Sequence, residues 1–251
     1  MDVDGKVAVV TGAGGGIGAA LSAALRAAGA RVTTTDLRGD VDVVADVSKS
    51  DEIERVLAAA PGPVDLYCAN AGIGGEQGLG DDEAQWERII DVNVLAHVRA
   101  ARLLLPGWLE RGSGYFVGTA SAAGLLTQIG AAPYSVTKHA AVAFSEWLSV
   151  TYGDRGVGVS CLCPMGVNTD MLNGGLDAED ADVALGANVV AAAGEILEPE
   201  DVAAKVLAAI AAETFLVLPH AEVLDFYRRK GDDYDRWIRG MRRLQGQVAQ
   251  T

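Results

Sequence analysis

The stretch Thr11-Gly12-Ala13-Gly14-Gly15-Gly16-Ile17-Gly18, TGAGGGIG, carries five glycines in eight residues. Glycine loses more conformational freedom on folding than any other residue, so this density needs a reason other than stability. The stretch follows an apolar run, Lys6–Val10, and opens a segment with helical spacing, Ala19–Ala28. A glycine loop between strand and helix presents free N–H groups and the positive end of a helix dipole, where a pyrophosphate can approach. The pattern G-x-G-x-x-G fails here, because Ile17 or Ala19 stands where the third glycine belongs. T-G-x-x-x-G-x-G fits, with Gly12, Gly16 and Gly18 in the fixed positions and Gly14 and Gly15 in variable ones.

Outward from the loop, the next apolar run, RVTTTD, ends on Asp36, 18 residues beyond Gly18. That is close to the ~20-residue spacing of an acid that binds adenosine ribose hydroxyls. A carboxylate there repels a 2′-phosphate, so NAD is expected rather than NADP; Arg38 nearby is the feature that favours the phosphate.

The rest of the chain keeps the same rhythm. Short apolar runs at 7–10, 32–35, 41–45, 64–68, 115–118, 157–163 and 215–218 alternate with helical spacing at 19–28, 51–60, 86–109, 134–152 and 199–212. Alternation of this kind predicts right-handed βαβ units: an α/β fold, one doubly wound Rossmann-like domain of about seven parallel strands with helices on both faces. No Pro- or Ser-rich linker divides the 251 residues. We expect a catalytic domain over 1–220 and a C-terminal helical extension over 221–251, packed on the same domain. The segment 169–198 lacks a strong strand, and a stretch of that length between regular elements is usually functional. In the extension, Trp237, Ile238, Met241 and Leu244 fit one face of an amphipathic helix.

Composition excludes some partners. The net charge of −14 argues against nucleic acid and anionic membranes. No apolar run reaches the roughly 18 residues of a membrane span, and the acidic start MDVDGK leads straight into a strand; a cytoplasmic protein without a signal peptide is expected. Cys68, Cys161 and Cys163 lie in apparent buried strands and read as structural thiols, so no metal is expected.

Tyr134-Ser135-Val136-Thr137-Lys138 places Tyr and Lys four apart, on one helix face. Ser121 stands 13 residues earlier, just past a strand. The run CANAG (68–72) closes another strand, and Asn93 lies in the helix that follows (DVNVLAHV). With the glycine loop, this ordered set resembles the short-chain dehydrogenase/reductase family over about residues 5–220. The resemblance implies a catalytic group of Asn93, Ser121, Tyr134 and Lys138. Tyr134 would be the general acid/base, Lys138 would tune it and hold the nicotinamide ribose, and Ser121 would bind the substrate oxygen. Asn93 would hold a water leading from Lys138 to solvent. A free phenol has a pKa near ~10, and a cation one turn away is expected to lower it.

The resemblance also implies a cofactor site. It would comprise Gly12, Gly14, Gly16, Ile17, Gly18, Asp36, Leu37, Asp46, Val47, Asn70, Ala71, Gly72, Tyr134, Lys138, Pro164, Val167 and Thr169. Two positions depart from the family pattern: Met165 replaces a glycine in CPMGVNT, and Ala69 replaces a second Asn. His97, His139 and His220 match no catalytic position and read as structural or surface residues.

Ala122, Ala123, Gln128 and Met165, with the segment 169–198, are expected to form the substrate pocket. These stretches carry no Arg or Lys, so we expect a hydrophobic secondary alcohol or ketone rather than a strongly anionic substrate. The acids Asp177, Glu179, Asp180 and Asp182 argue further against an acidic carrier protein. The alternatives are a 3-oxoacyl thioester reductase using NADPH and a non-catalytic NAD-sensing protein. Members of the family commonly form tetramers or dimers through helices corresponding to 86–109 and 134–152, so a homo-oligomer is expected.

Overall fold

The first strand, β1 (Val7–Thr11), is buried at all five positions, and its side chains divide by parity. Val7 and Val9 enter one apolar cluster; Ala8 and Val10 enter another. A strand buried on both faces belongs in a parallel sheet covered by helices on each side. That is the architecture of the computed structural model, which describes residues 1–179 and 181–248, with the side chains of 181–183 outside the description.

The other strands are β2 (Arg31–Asp36), β3 (Val43–Val44), β4 (Leu66–Ala69), β5 (Gly114–Thr119), β6 (Val157–Leu162) and β7 (Leu216–Val217). All pair in parallel, in the order β3-β2-β1-β4-β5-β6-β7. The order reverses between β1 and β4. Such a switch point opens a crevice beyond the carboxyl ends of the strands, where ligands bind.

One face is covered by α2 (Ser50–Ala59), α4 (Ala96–Arg111) and α5 (Ala132–Tyr152), through Ile53, Val56, Ala100, Leu104, Trp108 and Leu148. The other is covered by α1 (Gly16–Ala27) and α8 (Pro199–Ala212), through Leu21, Leu25, Val202, Val206 and Ile210. Small residues at Ala20, Ala24, Ala203 and Ala209 let α1 and α8 pack together.

Two local results differ from the sequence expectations, and a third agrees with them. The run 41–45 yields only the two-residue β3, because the Asp42 carboxylate accepts the Thr34 N–H at 2.8 Å and the Thr34 hydroxyl at 2.7 Å. A side chain thus occupies the β2 edge that a longer strand would use. The helix expected over 86–109 runs from α3 (Glu83–Ile90), capped by Asp82, through a five-residue π-turn, Asp91–Leu95, into α4. The segment 169–198 holds α6 (Asp170–Leu176) and α7 (Ala181–Ala193), and Leu197 forms an isolated bridge with Val167.

Beyond β7 come α9 (Glu222–Asp232) and α10 (Tyr234–Val248). The buried Lys230 anchors α9, donating to the Leu125 carbonyl at 2.7 Å, and α10 packs on both α9 and α7. Among the described residues no helix is long and apolar enough to cross a membrane.

Candidate active site

The glycine loop is held by its own close packing. Gly12 has φ +65°, and a Cβ on it would lie 2.8 Å from the Ala71 Cα. A Cβ on Gly18 would lie 2.1 Å from the Gly12 carbonyl oxygen. Gly14, placed by its spacing in a variable position, is constrained too: a Cβ there would come within 2.5 Å of the Arg38 carbonyl and 3.1 Å of the Asp36 carboxylate. Gly15 alone in the loop is extended and open.

No side chain caps the N-terminus of α1, so its first N–H groups, at Gly16, Ile17 and Gly18, remain a donor set of the kind that binds phosphate. Asp36 closes the loop edge, accepting the Gly14 N–H at 3.0 Å and the Leu37 N–H at 2.6 Å. Leu37 is exposed beside it. This uncapped, Cβ-free concavity with a carboxylate at its rim fits a dinucleotide.

Behind the loop, Asn70 works as a brace. Its Nδ2 donates to the carbonyls of Thr11 at 3.0 Å and Gly12 at 3.3 Å, while the Thr11 hydroxyl accepts the N–H groups of Asn70 and Ala71. Asp46 and Val47 follow β3. Burial pushes the Asp46 carboxyl up, but the Ser48 side-chain and backbone hydrogen bonds outweigh it and hold the acid below its ordinary range. Thr169, which precedes α6, reaches across the mouth: a Cβ on Gly16 would meet its methyl group at 2.9 Å.

Opposite the loop lies the Ser–Tyr–Lys group. Ser121 stands two residues past β5 and caps the short turn Ala122–Gly124, its Oγ accepting the Ala123 N–H at 3.1 Å and donating to the Pro164 carbonyl at 3.4 Å. Tyr134 and Lys138 share one face of α5, with Lys138 Nζ 5.5 Å from the Tyr134 ring centre. Lys138 is buried and donates to the Thr119 carbonyl at 3.1 Å.

The protonation balance differs from the sequence expectation. Burial raises the Tyr134 phenol above its ordinary value, against a hydrogen bond with Ser121 that lowers it. Burial likewise brings Lys138 down to about 8. Desolvation therefore dominates at both groups.

Asn93 sits in the π-turn, completely buried, exchanging two 2.9 Å hydrogen bonds with the Ile73 backbone and donating to the Thr137 hydroxyl at 3.2 Å. Its side-chain amide is thus a clamp on the loop after β4. A Cβ on Gly72 would lie 3.3 Å from Asn93 Oδ1 and 3.4 Å from Lys138 Nζ, so the small residue preserves the gap between those two groups. Spacing in the sequence carries no sign of the π-turn, a feature often found at functional sites.

His220 holds the segment that differs from the family pattern. Its Nδ1 accepts the Met165 N–H at 3.1 Å, which leaves the proton on Nε2 to be donated to the carbonyls of Gly166 at 3.0 Å and Glu195 at 3.2 Å. The Met165 side chain runs to the end of α7, where a Cβ on Gly194 would lie 2.5 Å from the Met165 Cε. The bulk gained at 165 is accommodated by a missing side chain at 194.

A cavity of about 690 Å³ opens at Ser121, lined by Ala122, Ala123, Gln128 and Met165. Gln128 itself ties the wall together, its Nε2 donating to the Gly186 carbonyl at 3.1 Å. The far wall comprises Val189, Val190, Ala192 and Ala193 of α7, within the segment 169–198 expected at the pocket, and Phe226 of α9 with Trp237, Met241 and Leu244 of α10, which the sequence reading missed. That reading also missed that Arg229, Arg236 and Arg243 line the same cavity, so the view that the pocket lacks cations is corrected. These side chains lie about a hundred residues beyond Ser121; only their amphipathic spacing was visible. Of the loop acids, Asp180 and the Asp182 side chain lie outside the described residues.

A parallel sheet with a switch-point glycine loop and a facing Ser–Tyr–Lys group defines a dinucleotide-dependent oxidoreductase architecture. The family model for short chain dehydrogenases matches residues 6–180, and the chain belongs to the short-chain dehydrogenase/reductase family. It is 33% identical to 1-deoxy-11-beta-hydroxypentalenate dehydrogenase of Streptomyces exfoliatus, over 95% of this chain and 91% of that protein. It is 29% identical to a 3-oxoacyl-acyl-carrier-protein reductase of Vibrio cholerae, over 88% of this chain and 93% of that protein. A short-chain dehydrogenase/reductase of Burkholderia phymatum, solved in complex with NAD, matches with a TM-score of 0.82 at 28% identity, over 94% of this chain and 96% of that chain.

Proposed function

We propose that this oxidoreductase transfers hydride between NAD(H) and a hydrophobic secondary alcohol or its ketone, with Tyr134 as general acid/base. The observation that carries the reading is the position of Ser121. Its hydroxyl acts on the Tyr134 phenol, lowering its pKa against burial, and it lines the cavity. A nicotinamide dinucleotide supplies or accepts the hydride.

The chain's own groups handle the proton. In reduction the Tyr134 phenol donates to the substrate oxygen; in oxidation its phenolate removes the hydroxyl proton. Ser121 donates a hydrogen bond to the same oxygen and stabilises charge developing there. Lys138, brought down to about 8, changes charge near neutral pH and can return the proton. Asn93 braces the loop beside that lysine, and Asp36 favours NAD over NADP by repelling a 2′-phosphate. The α1 N-terminus would hold the pyrophosphate, with Asp46, Val47, Asn70, Ala71 and Gly72 along the adenosine. Pro164, Val167 and Thr169 would border the carboxamide.

The test is an alcohol and ketone panel assayed with both cofactors. We expect turnover with NAD(H), and a loss of about 10³-fold in kcat/KM for Tyr134→Phe, without loss of NADH binding. Unchanged turnover in that variant would end the proposed mechanism. Strong NADPH preference would favour the second reading, a 3-oxoacyl thioester reductase, which the relative from Vibrio cholerae and the exposed Arg38 support. Retained biological activity of Tyr134→Phe without turnover would favour an NAD sensor. Trp147 and Val150, exposed on α5, support a homo-oligomer.

A further inference from the structure

We infer that the substrate is an apolar ring compound carrying a carboxylate, and that Arg236 and Arg243 on α10 hold that carboxylate at the outer end of the cavity. The inference rests on the redox reading above for the other end, where Ser121 and Tyr134 would meet the hydroxyl or ketone.

Arg26, Arg55, Arg99 and Arg228 are ion-paired with Asp42, Glu52, Asp91 and Asp225. Arg229, Arg236 and Arg243 have no carboxylate partner among the described residues, and all three line the cavity. They recur every seven residues, two helical turns, which keeps Arg236 and Arg243 on one face of α10. Arg239 and Arg242 lie outside the lining.

Two acids also reach the cavity, Asp232 and Asp233. Asp233 is turned toward the start of α10, its Oδ1 accepting the Arg236 backbone N–H at 2.8 Å. Three cations against two acids leave this mouth positive on a chain whose net charge is −14. A solvated arginine needs no partner at the surface. Three of them around one apolar cavity, on a strongly acidic protein, form a selective patch for an anion, with fork geometry suited to a carboxylate.

The wall between the two ends is apolar, built from Met165, Val189, Trp237 and Leu244. Gly240, on the same face of α10, leaves space open beside Arg243. At about 690 Å³ the cavity is within the ordinary range for small-molecule sites and has room for fused rings. The C-terminal extension thus supplies the specificity-determining end of the site.

The test is calorimetric titration of the NADH-loaded enzyme with 6-hydroxydecahydronaphthalene-2-carboxylate and, separately, its methyl ester. The alcohol cannot be reduced by NADH, so binding is read without turnover. We expect the acid to bind at least about ten-fold more tightly than the ester, as a charge-assisted contact provides. The gap should shrink to about two-fold in R236A/R243A, persist in R239A/R242A, and narrow at high salt because the arginines are exposed. Equal or weaker binding of the acid, binding of neither compound, or loss of the gap in R239A/R242A would overturn the inference. Separate assays of the matching ketone with NADH judge the redox reading. An enzyme that prefers the acid but never turns over would sink that reading and leave this one standing.

Discussion

The two halves of the cleft are built on different principles. On the cofactor side, backbone meets backbone: Gly18 against the Gly12 carbonyl, Gly12 against Ala71, Gly14 against the Arg38 carbonyl. On the substrate side, side chains from α7, α9 and α10 converge on the end of β5, and α9 is fastened by the Lys230–Leu125 hydrogen bond. The first half has no room for a side chain at Gly12, Gly14 or Gly18, and its trace is a short spacing. The second is assembled over long chain distances and can exchange side chains without disturbing the sheet. A shared reaction with divergent substrates is what such a division permits.

The largest effect should come from the backbone-packed half. Gly18→Val forces carbon into the Gly12 carbonyl and the Asn70 amide. We expect NADH binding to fall below detection by calorimetry and the melting temperature to drop by roughly 5 °C, from ~1–3 kcal/mol of overpacking. Gly15→Ala, in open space with extended backbone, should leave the melting temperature unchanged. If both variants behave alike, the contrast fails.

A smaller effect is expected across the cleft. Trp237→Ala removes a large apolar surface from the cavity wall and its contact with Phe226. KM for the ketone should rise about ten-fold while NADH affinity stays within two-fold. A matching loss of NADH affinity would show that the halves are not separable.

A third effect, read as stability against pH, concerns the sheet beneath both. His97 is buried against Phe116, neither ring nitrogen has a partner among the described residues, and burial lowers its pKa to about 3 from 6.5. Below pH 6.5 the unfolded chain takes up a proton that the folded one refuses. The stability from a neutral His97 is therefore full above 6.5 and is lost as pH falls toward 3, by at most about ten-fold in the unfolding equilibrium per unit. In denaturant melts His97→Phe should show a shallower decline than the wild type between pH 6.5 and 4. Parallel curves would contradict the assignment.

How far the sequence reaches follows the same division. The order of strands and helices, the fixed loop glycines and the Tyr–Lys pair are legible because each is a matter of spacing within a few turns. Gly14 looked free because its neighbours, Asp36 and the Arg38 carbonyl, come from the next strand. The two-residue β3, the π-turn at Asp91–Leu95 and the grip of His220 on Met165 depend on partners that periodicity does not name. The energetics of Tyr134 and Lys138 were misjudged for a related reason. Chain order gives their separation along a helix, whereas burial sets the cost of their charge. The arginines of α10 were visible as charges on an amphipathic helix, without a sign of the cavity they face.

The central claim, hydride transfer at the Ser121–Tyr134 end of the cavity, is tested most directly by isotope transfer. The enzyme would reduce a fused-ring ketone with NADH deuterated on the transferable C4 position, and the alcohol would be analysed by mass spectrometry. The account predicts one deuterium on the carbinol carbon, at a rate about 10³-fold lower in Tyr134→Phe. An alcohol without the label, or labelling equally fast in that variant, would contradict it.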